Sequence, residues 1–256
     1  MQMTFNDYIL NPIGKHNAVL NSTAREAMRS SYIKKFDAIM LREHGAINYR
    51  LYKNDKKNRF IAHISIPSET VDKFYYDTVI EFYTNKNVEE SGTNLFKYNV
   101  RFFSNDPSFV FTYAYVFAHN DLFIKELKDK MGSKALKTNP KETNPTQNVG
   151  YVKTIYFAYL FMQSKGLNDV NTFKAMANNI DFNFIRANIM NADLKVQNRQ
   201  DAGEKQAKKE KREATRKNTA ISNTINKIQG VIKKTRTTKT TNTTKTTKTS
   251  KFTKKI

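Results

Sequence analysis

Apolar positions along this chain change period several times. Met28, Tyr32, Phe36, Ile39 and Met40 recur at helical spacing. Thr23-x-x-Glu26 supplies a capping box ahead of them and Gly45 a stop behind His44, so the pattern predicts a helix with this stripe on the core. The period then becomes two. Tyr49 and Leu51 alternate with polar neighbours, Asn54 to Asn58 reads as a turn, and Phe60, Ala62, Ile64 and Ile66 alternate on the return to Pro67. That is a β-hairpin. A third strand fits Phe74 to Tyr83. A fourth fits Leu95 to Phe103, with Phe96, Tyr98, Val100 and Phe102 opposite Lys97, Asn99 and Arg101. Four strands in sequence with short links imply an antiparallel sheet with one wet face.

Beyond the sheet the pattern turns helical again. Asp106-Pro107 reads as a helix start. The aromatic run Phe109 to Phe117 that follows supports a buried helix by its entry and a strand by its alternation; we take the helix. A short helix fits Asp121 to Met131, and the two Thr-Asn-Pro repeats between Lys137 and Pro145 read as a stiff surface loop. An apolar helix fits Val149 to Lys165, ended by Gly166. Asn168 or Asp169 caps the next, and Phe182 to Met190 forms one more. The expected fold class is α+β: N-terminal helix, four-stranded antiparallel sheet, C-terminal helices, then a charged helix and an extended basic tail. The expected division is an N-terminal arm over 1–21, a globular domain over 22–192, a helical linker over 193–232 and a Lys/Thr-rich tail over 233–256.

Composition adds partners to this picture. Eighteen Phe and thirteen Tyr supply a large aromatic core. The formal net charge is +21, divided as +8 over residues 1–200 and +13 over 201–256. Such a field favours polyanions. In the linker, Glu204/Lys208 and Glu213/Lys217 stand as i,i+4 pairs on a solvated helix. Ile221, Ile225, Ile228 and Ile232 then follow at spacings of four, three and four, a heptad seam shorter than two heptads.

The tail has a period of its own. Cations recur every third residue at Lys233, Arg236, Lys239, Lys245, Lys248, Lys251 and Lys254, with Lys234 and Lys255 beside them and Asn242 as the gap. Eleven of the last 26 residues are Thr, too β-branched and polar to favour a helix or a core. In a polyproline II chain this period places the cations on one edge, roughly 9 Å apart. A polyanion could collect them by counterion release. Lys56, Lys57 and Arg59 at the hairpin tip, flanked by Tyr52 and Phe60, form a second candidate polyanion contact.

Candidate chemistry is sparse. With no cysteine, disulfides, thiolate metal sites and cysteine nucleophiles are excluded. His16, His44, His63 and His119 are far apart in sequence and are read as structural or solvated. Carboxylates gather at Glu89-Glu90 and around Asp72 and Asp77, without a readable second partner or oxyanion device. No nucleophile elbow, phosphate-binding glycine loop or zincin motif is present. An enzyme is not expected, nor a cofactor or metal. The N-terminal stretch lacks the profile of a secretory signal, and no apolar stretch is long enough to span a bilayer.

Three stretches resemble virion structural proteins of tailed phages from low-GC hosts: Ile64-Ser-Ile-Pro-Ser-Glu69, Tyr75-Tyr-Asp-Thr-Val-Ile-Glu-Phe82 and Leu95-Phe-Lys-Tyr-Asn-Val-Arg-Phe-Phe-Ser-Asn-Asp-Pro-Ser-Phe109. The resemblance spans about residues 46–165, and no functional residues carry over from it. It implies a non-enzymatic protein of the capsid, neck (head–tail connector) or tail. That protein would be made in the host cytoplasm and built into the virion as a homo-oligomer among other virion proteins. The basic tail would face packaged DNA or an acidic neighbour. The alternative is a free, sequence-nonspecific nucleic-acid-binding protein.

Overall fold

The computed structural model describes residues 2–10, 22–41, 47–84, 92–144, 147 and 149–242. The chain divides into a compact unit ending at Gly203 and a second unit from Glu204. The expected boundary at residue 192 therefore moves by about one helical segment. Residues just past it pack on the first unit: Lys195 Nζ lies 4.8 Å from the Phe74 ring centroid, and Arg199 Nη2 donates to Thr70 Oγ1 at 3.4 Å.

The first unit is α+β. Strands β1 (Asn48–Asn54), β2 (Arg59–Pro67), β3 (Tyr75–Tyr83) and β4 (Asn99–Ser104) form an antiparallel meander in the expected order. A two-residue strand, β5 (Asn178–Asn179), adds in parallel to β1, so the sheet is mixed and has five strands, ordered β4-β3-β2-β1-β5. Asn178 and Asn179 are exposed and have no apolar alternation. Chain pairing alone places them, with Ile180 N–H donating to Lys53 O at 3.0 Å. The fourth strand starts later than expected, because Asn94 caps a 3-10 turn over Leu95–Lys97 by accepting from Phe96 N–H.

Pairing register puts Phe60, Ala62, Ile64, Ile80, Phe82, Val100 and Phe102 on one face, and all are fully buried. Helix α2 (Ser22–Met40) and an apolar helix over Lys153–Ser164 pack together over this face. They meet through Tyr32–Tyr156 and Phe36–Phe157, with ring centroids 5.7 and 5.9 Å apart. Phe36 and Ile39 are buried, and Met28 and Tyr32 pack at the edge of the core. Met40, expected on the same stripe, is 42% exposed because it sits at the last turn. The Thr23 capping box and the Gly45 stop lie outside the described side chains.

Residues 3–10 are not an arm. Helix α1 (Phe5–Leu10) inserts Phe5 and Tyr8, both fully buried, into the core. The Phe5 ring lies 5.2 to 5.7 Å from those of Phe82, Phe96, Phe102 and Tyr159. Arg29 Nη2 donates to Ile9 O and Leu10 O at 2.9 and 2.8 Å, satisfying carbonyls that the end of α1 leaves open. Residues 11–21 lie outside the described residues.

The segment after Pro107 is helical, as taken, but Phe109–Tyr113 is wound as a π-helix before helix α3 (Ala114–His119). Thr143 Oγ1 donates to Phe111 O and Asn144 Nδ2 to Thr112 O. Thus the Thr-Asn-Pro loop ties to carbonyls of the wider turn. Gly150 lies against the Tyr113 ring so closely that a Cβ there would sit 2.8 Å from it. Short helices α4 (Lys128–Met131) and α5 (Ser133–Lys137) precede the apolar helix, labelled α6. They are followed by α7 (Val170–Met176), capped by Asp169 accepting from Thr172 N–H, and α8 (Phe182–Ala187). Helix α9 (Ala192–Asn242) ends the described chain. Lys233, Lys234, Arg236 and Lys239 therefore lie on helical backbone, and for them the extended, one-edge reading gives way to a helix. Lys245, Lys248, Lys251, Lys254 and Lys255 lie outside the described residues.

Candidate functional site

The sheet face expected to be wet is largely covered. It carries Ile61, Val79 and Phe103, all buried, and two polar clusters set by strand parity.

In the first cluster, Glu81 on β3 pairs with Arg101 on β4, and Arg59, two positions before Glu81's partner Ile61 on β2, reaches it diagonally on the same face. Glu81 is 1% exposed and accepts from Arg59 Nε; its other oxygen lies 3.8 Å from Arg101 Nη1. Arg59 also donates to Glu126 Oε1 at 2.6 Å, and Arg101 to Asp121 Oδ2 at 3.0 Å. The guanidinium groups lie over Phe182 at 4.7 Å and Tyr83 at 4.3 Å. Burial raises the Glu81 carboxyl above its ordinary range despite both arginines. Arg59 is therefore committed to the fold rather than presented to a phosphate backbone. Lys56 and Lys57, on the 3-10 turn at the hairpin tip, stay exposed. The structure thus separates the three cations that sequence proximity had grouped.

In the second cluster, His63 Nε2 and Asp77 Oδ1 are 3.0 Å apart. Ser65 Oγ donates to the same oxygen at 3.2 Å, and Asn105 Nδ2 to Asp77 Oδ2 at 2.8 Å. Burial opposes ionisation of Asp77, but the bond and charge of His63, with Lys195 and Asn105, outweigh it and hold the carboxyl below its usual range. The ionised carboxylate only accepts, so His63 Nε2 carries the proton. His63 Nδ1 is buried and has no hydrogen-bond partner among the described residues. A polar hollow of about 420 Å³, lined by Asn48, Tyr49, Arg50, His63, Ser65 and Asn188, opens beside this group. Asp77 is the hub: serine and histidine both point at it. Nucleophilic catalysis needs the hydroxyl to give its proton to the imidazole, and that contact is missing here. Among the described residues no His, Asp and Glu gather as a metal site.

The second unit presents different chemistry. Within residues 204–225, seven cations face three acids, and every cation is exposed. At 100° per residue, Lys205, Lys208, Lys209, Arg212 and Arg216 fall within roughly 100° of arc. Lys208 reaches Glu204 at 3.8 Å; Glu213 meets Lys209 at 4.0 Å, not Lys217 as the sequence order had suggested. Both pairs are highly exposed and screened, so the row keeps its net positive charge. Reading the repeats in the tail missed this row, although its signal was the 3–4 residue spacing of cations in 205–216. No helix among the described residues is long and apolar enough to cross a membrane.

No family model, curated protein or solved structure matches this chain.

Proposed function

We propose that this chain is a non-enzymatic structural or assembly protein of a tailed-phage virion. Its aromatic α+β unit builds into a homo-oligomer with other virion proteins at the capsid, neck or tail. Its basic C-terminal unit contacts DNA or an acidic neighbouring surface. The observation that carries the reading is the cationic row Lys205, Lys208, Lys209, Arg212 and Arg216, exposed on one side of α9 in a segment of net +13 over 201–256. The tail cations from Lys233 to Lys255 extend the same charge. In the first unit, the buried acids and bases are spent on one another, as in the Arg59–Glu81–Arg101 cluster, which supports a structural reading over a catalytic one.

The test is nucleic-acid binding measured against salt. Each phosphate neutralised contributes about 0.9 to the slope of log affinity against log salt. Replacing the five row cations with Gln in the full chain should lower that slope by about 4 if all five engage. An unchanged slope overturns the contact. Purified virions should contain the chain at stoichiometric copy number. Binding to DNA together with absence from virions would instead support a free nucleic-acid-binding protein.

A further inference from the structure

We infer that the part of α9 from Ala214 to Ile232 is a self-association seam, occupied by the same segment of a second copy of this chain running parallel to it. The inference does not depend on the nucleic-acid reading above.

Ala214, Asn218, Ile221 and Ile225 lie on one side of α9 and are exposed, Ile221 at 57% and Ile225 at 49%. The sequence carries the spacing on to Ile228 and Ile232. Four, three and four is the 3.5-residue repeat of a helix that pairs along its length with another helix, rather than the wider stripe of a helix laid on a globular core. In that register Ala214, Ile221 and Ile228 take d positions, and Asn218, Ile225 and Ile232 take a positions. A single Asn at a is a device that fixes register between like chains, because each amide needs its counterpart opposite.

Charge names the occupant. This is the most basic part of the chain, yet from Asn218 to Ile232 the one charged residue is Lys227, at a c position off the seam. The flanking e and g positions hold Ser222, Thr224, Gln229 and Val231. Lys217, at the preceding g, would face Ser222 of the copy. Two identical chains therefore meet here without like charges in contact. A charged partner helix would instead call for complementary charges at e and g. The row from Lys205 to Arg216 lies on the opposite side of α9, so pairing would leave it free. Lys211, at the a position before Ala214, bounds the seam on the N-terminal side.

The test uses the full chain, whose native sequence has no cysteine. Mass in solution across a concentration series should exceed one copy, and the Ile221→Asp/Ile225→Asp pair should return it toward one. A monomer at every concentration, or a multimer unmoved by the double substitution, overturns the inference. Introduced thiols settle orientation. Ile225→Cys should form a disulfide-linked pair under mild oxidation about tenfold faster than Lys209→Cys on the opposite side, because a parallel seam raises the effective concentration of one thiol at its mate. Equal rates overturn it.

Discussion

Arg59 and Arg212 carry the same charge and do opposite things. Arg59 has 19% of its side chain exposed and meets Glu81, Glu126 and the face of Phe182. Arg212 is exposed on a helix whose acids are too few to answer its cations. The first unit converts polar residues into internal order; the second keeps its charge available to whatever lies outside. Net charge by itself did not separate these roles. Strand parity did, since Arg59, Glu81 and Arg101 share a face and come within reach only because β2, β3 and β4 are in register.

If that contrast is right, substitutions in the first unit should act on stability and those in the second on association. The largest effect is expected at Phe5. Its ring is fully buried among four aromatic neighbours besides Tyr8, so Phe5→Ala should destabilise the first unit by about 4 kcal/mol. Denaturant unfolding would measure this. A loss under about 1 kcal/mol would mean that α1 is not part of the cooperative core.

Next comes Glu81. Replacing it with Leu removes both acceptor oxygens and leaves the half-buried Arg59 and Arg101 without their shared partner, and should cost about 3 kcal/mol. Glu126 and Asp121, more exposed, compensate only in part. The matching change in the second unit, Glu213→Leu, should leave unfolding of the first unit unaltered, because that acid makes only an exposed pair within its own helix.

Asp77 gives a smaller, pH-dependent effect. Its folded carboxyl titrates below the unfolded value, so its contribution to stability is complete above about pH 4 and falls away as the pH drops through the folded value. Glu81 has the opposite sign: raised in the fold, it favours the protonated state and works against stability as the pH rises from about 4. Asp77→Asn should therefore flatten the acid limb of a stability–pH profile, while Glu81→Gln should remove the opposing slope. Identical acid limbs in wild type and Asp77→Asn would show that Asp77 is not held in the fold as the ionised carboxylate described above.

How much of this the sequence revealed depended on whether the signal was local. The α2 stripe, the hairpin from Asn48 to Pro67 and β3 follow from periodicity, because burial of one face imposes it directly. The strand at Asn178–Asn179 has no such pattern, since its place is set by backbone pairing with Tyr52 and Lys53, far away in sequence. Phe5, Tyr8 and Ile9 did carry helical spacing, but six residues are too few to distinguish a core insert from a stray cluster without the Gly150 and Arg29 contacts that hold them. For the candidate sites, the polar parity of His63 and Ser65 on β2 and of Asp77 and Glu81 on β3 was visible, and their meeting was not: it required the register. In the tail, a three-residue repeat predicts an extended chain, whereas the helix through Asn242 shows that period alone does not choose a conformation.

The smallest effect is expected where the contrast is least sharp, at the hairpin tip. Lys56 and Lys57 belong to the first unit yet are exposed like the cations of the second. The turn is held by Asn54 Oδ1 accepting from Lys57 N–H and by Asn58 in the left-handed region at φ 45°, and neither feature needs a lysine side chain. Lys56→Ala with Lys57→Ala should therefore change stability by less than about 0.5 kcal/mol. If the tip joins the polyanion contact, the same pair should lower the salt slope of nucleic-acid binding by up to about 2. No change in slope would confine the contact to the second unit, and the two units would then divide packing from charge without overlap.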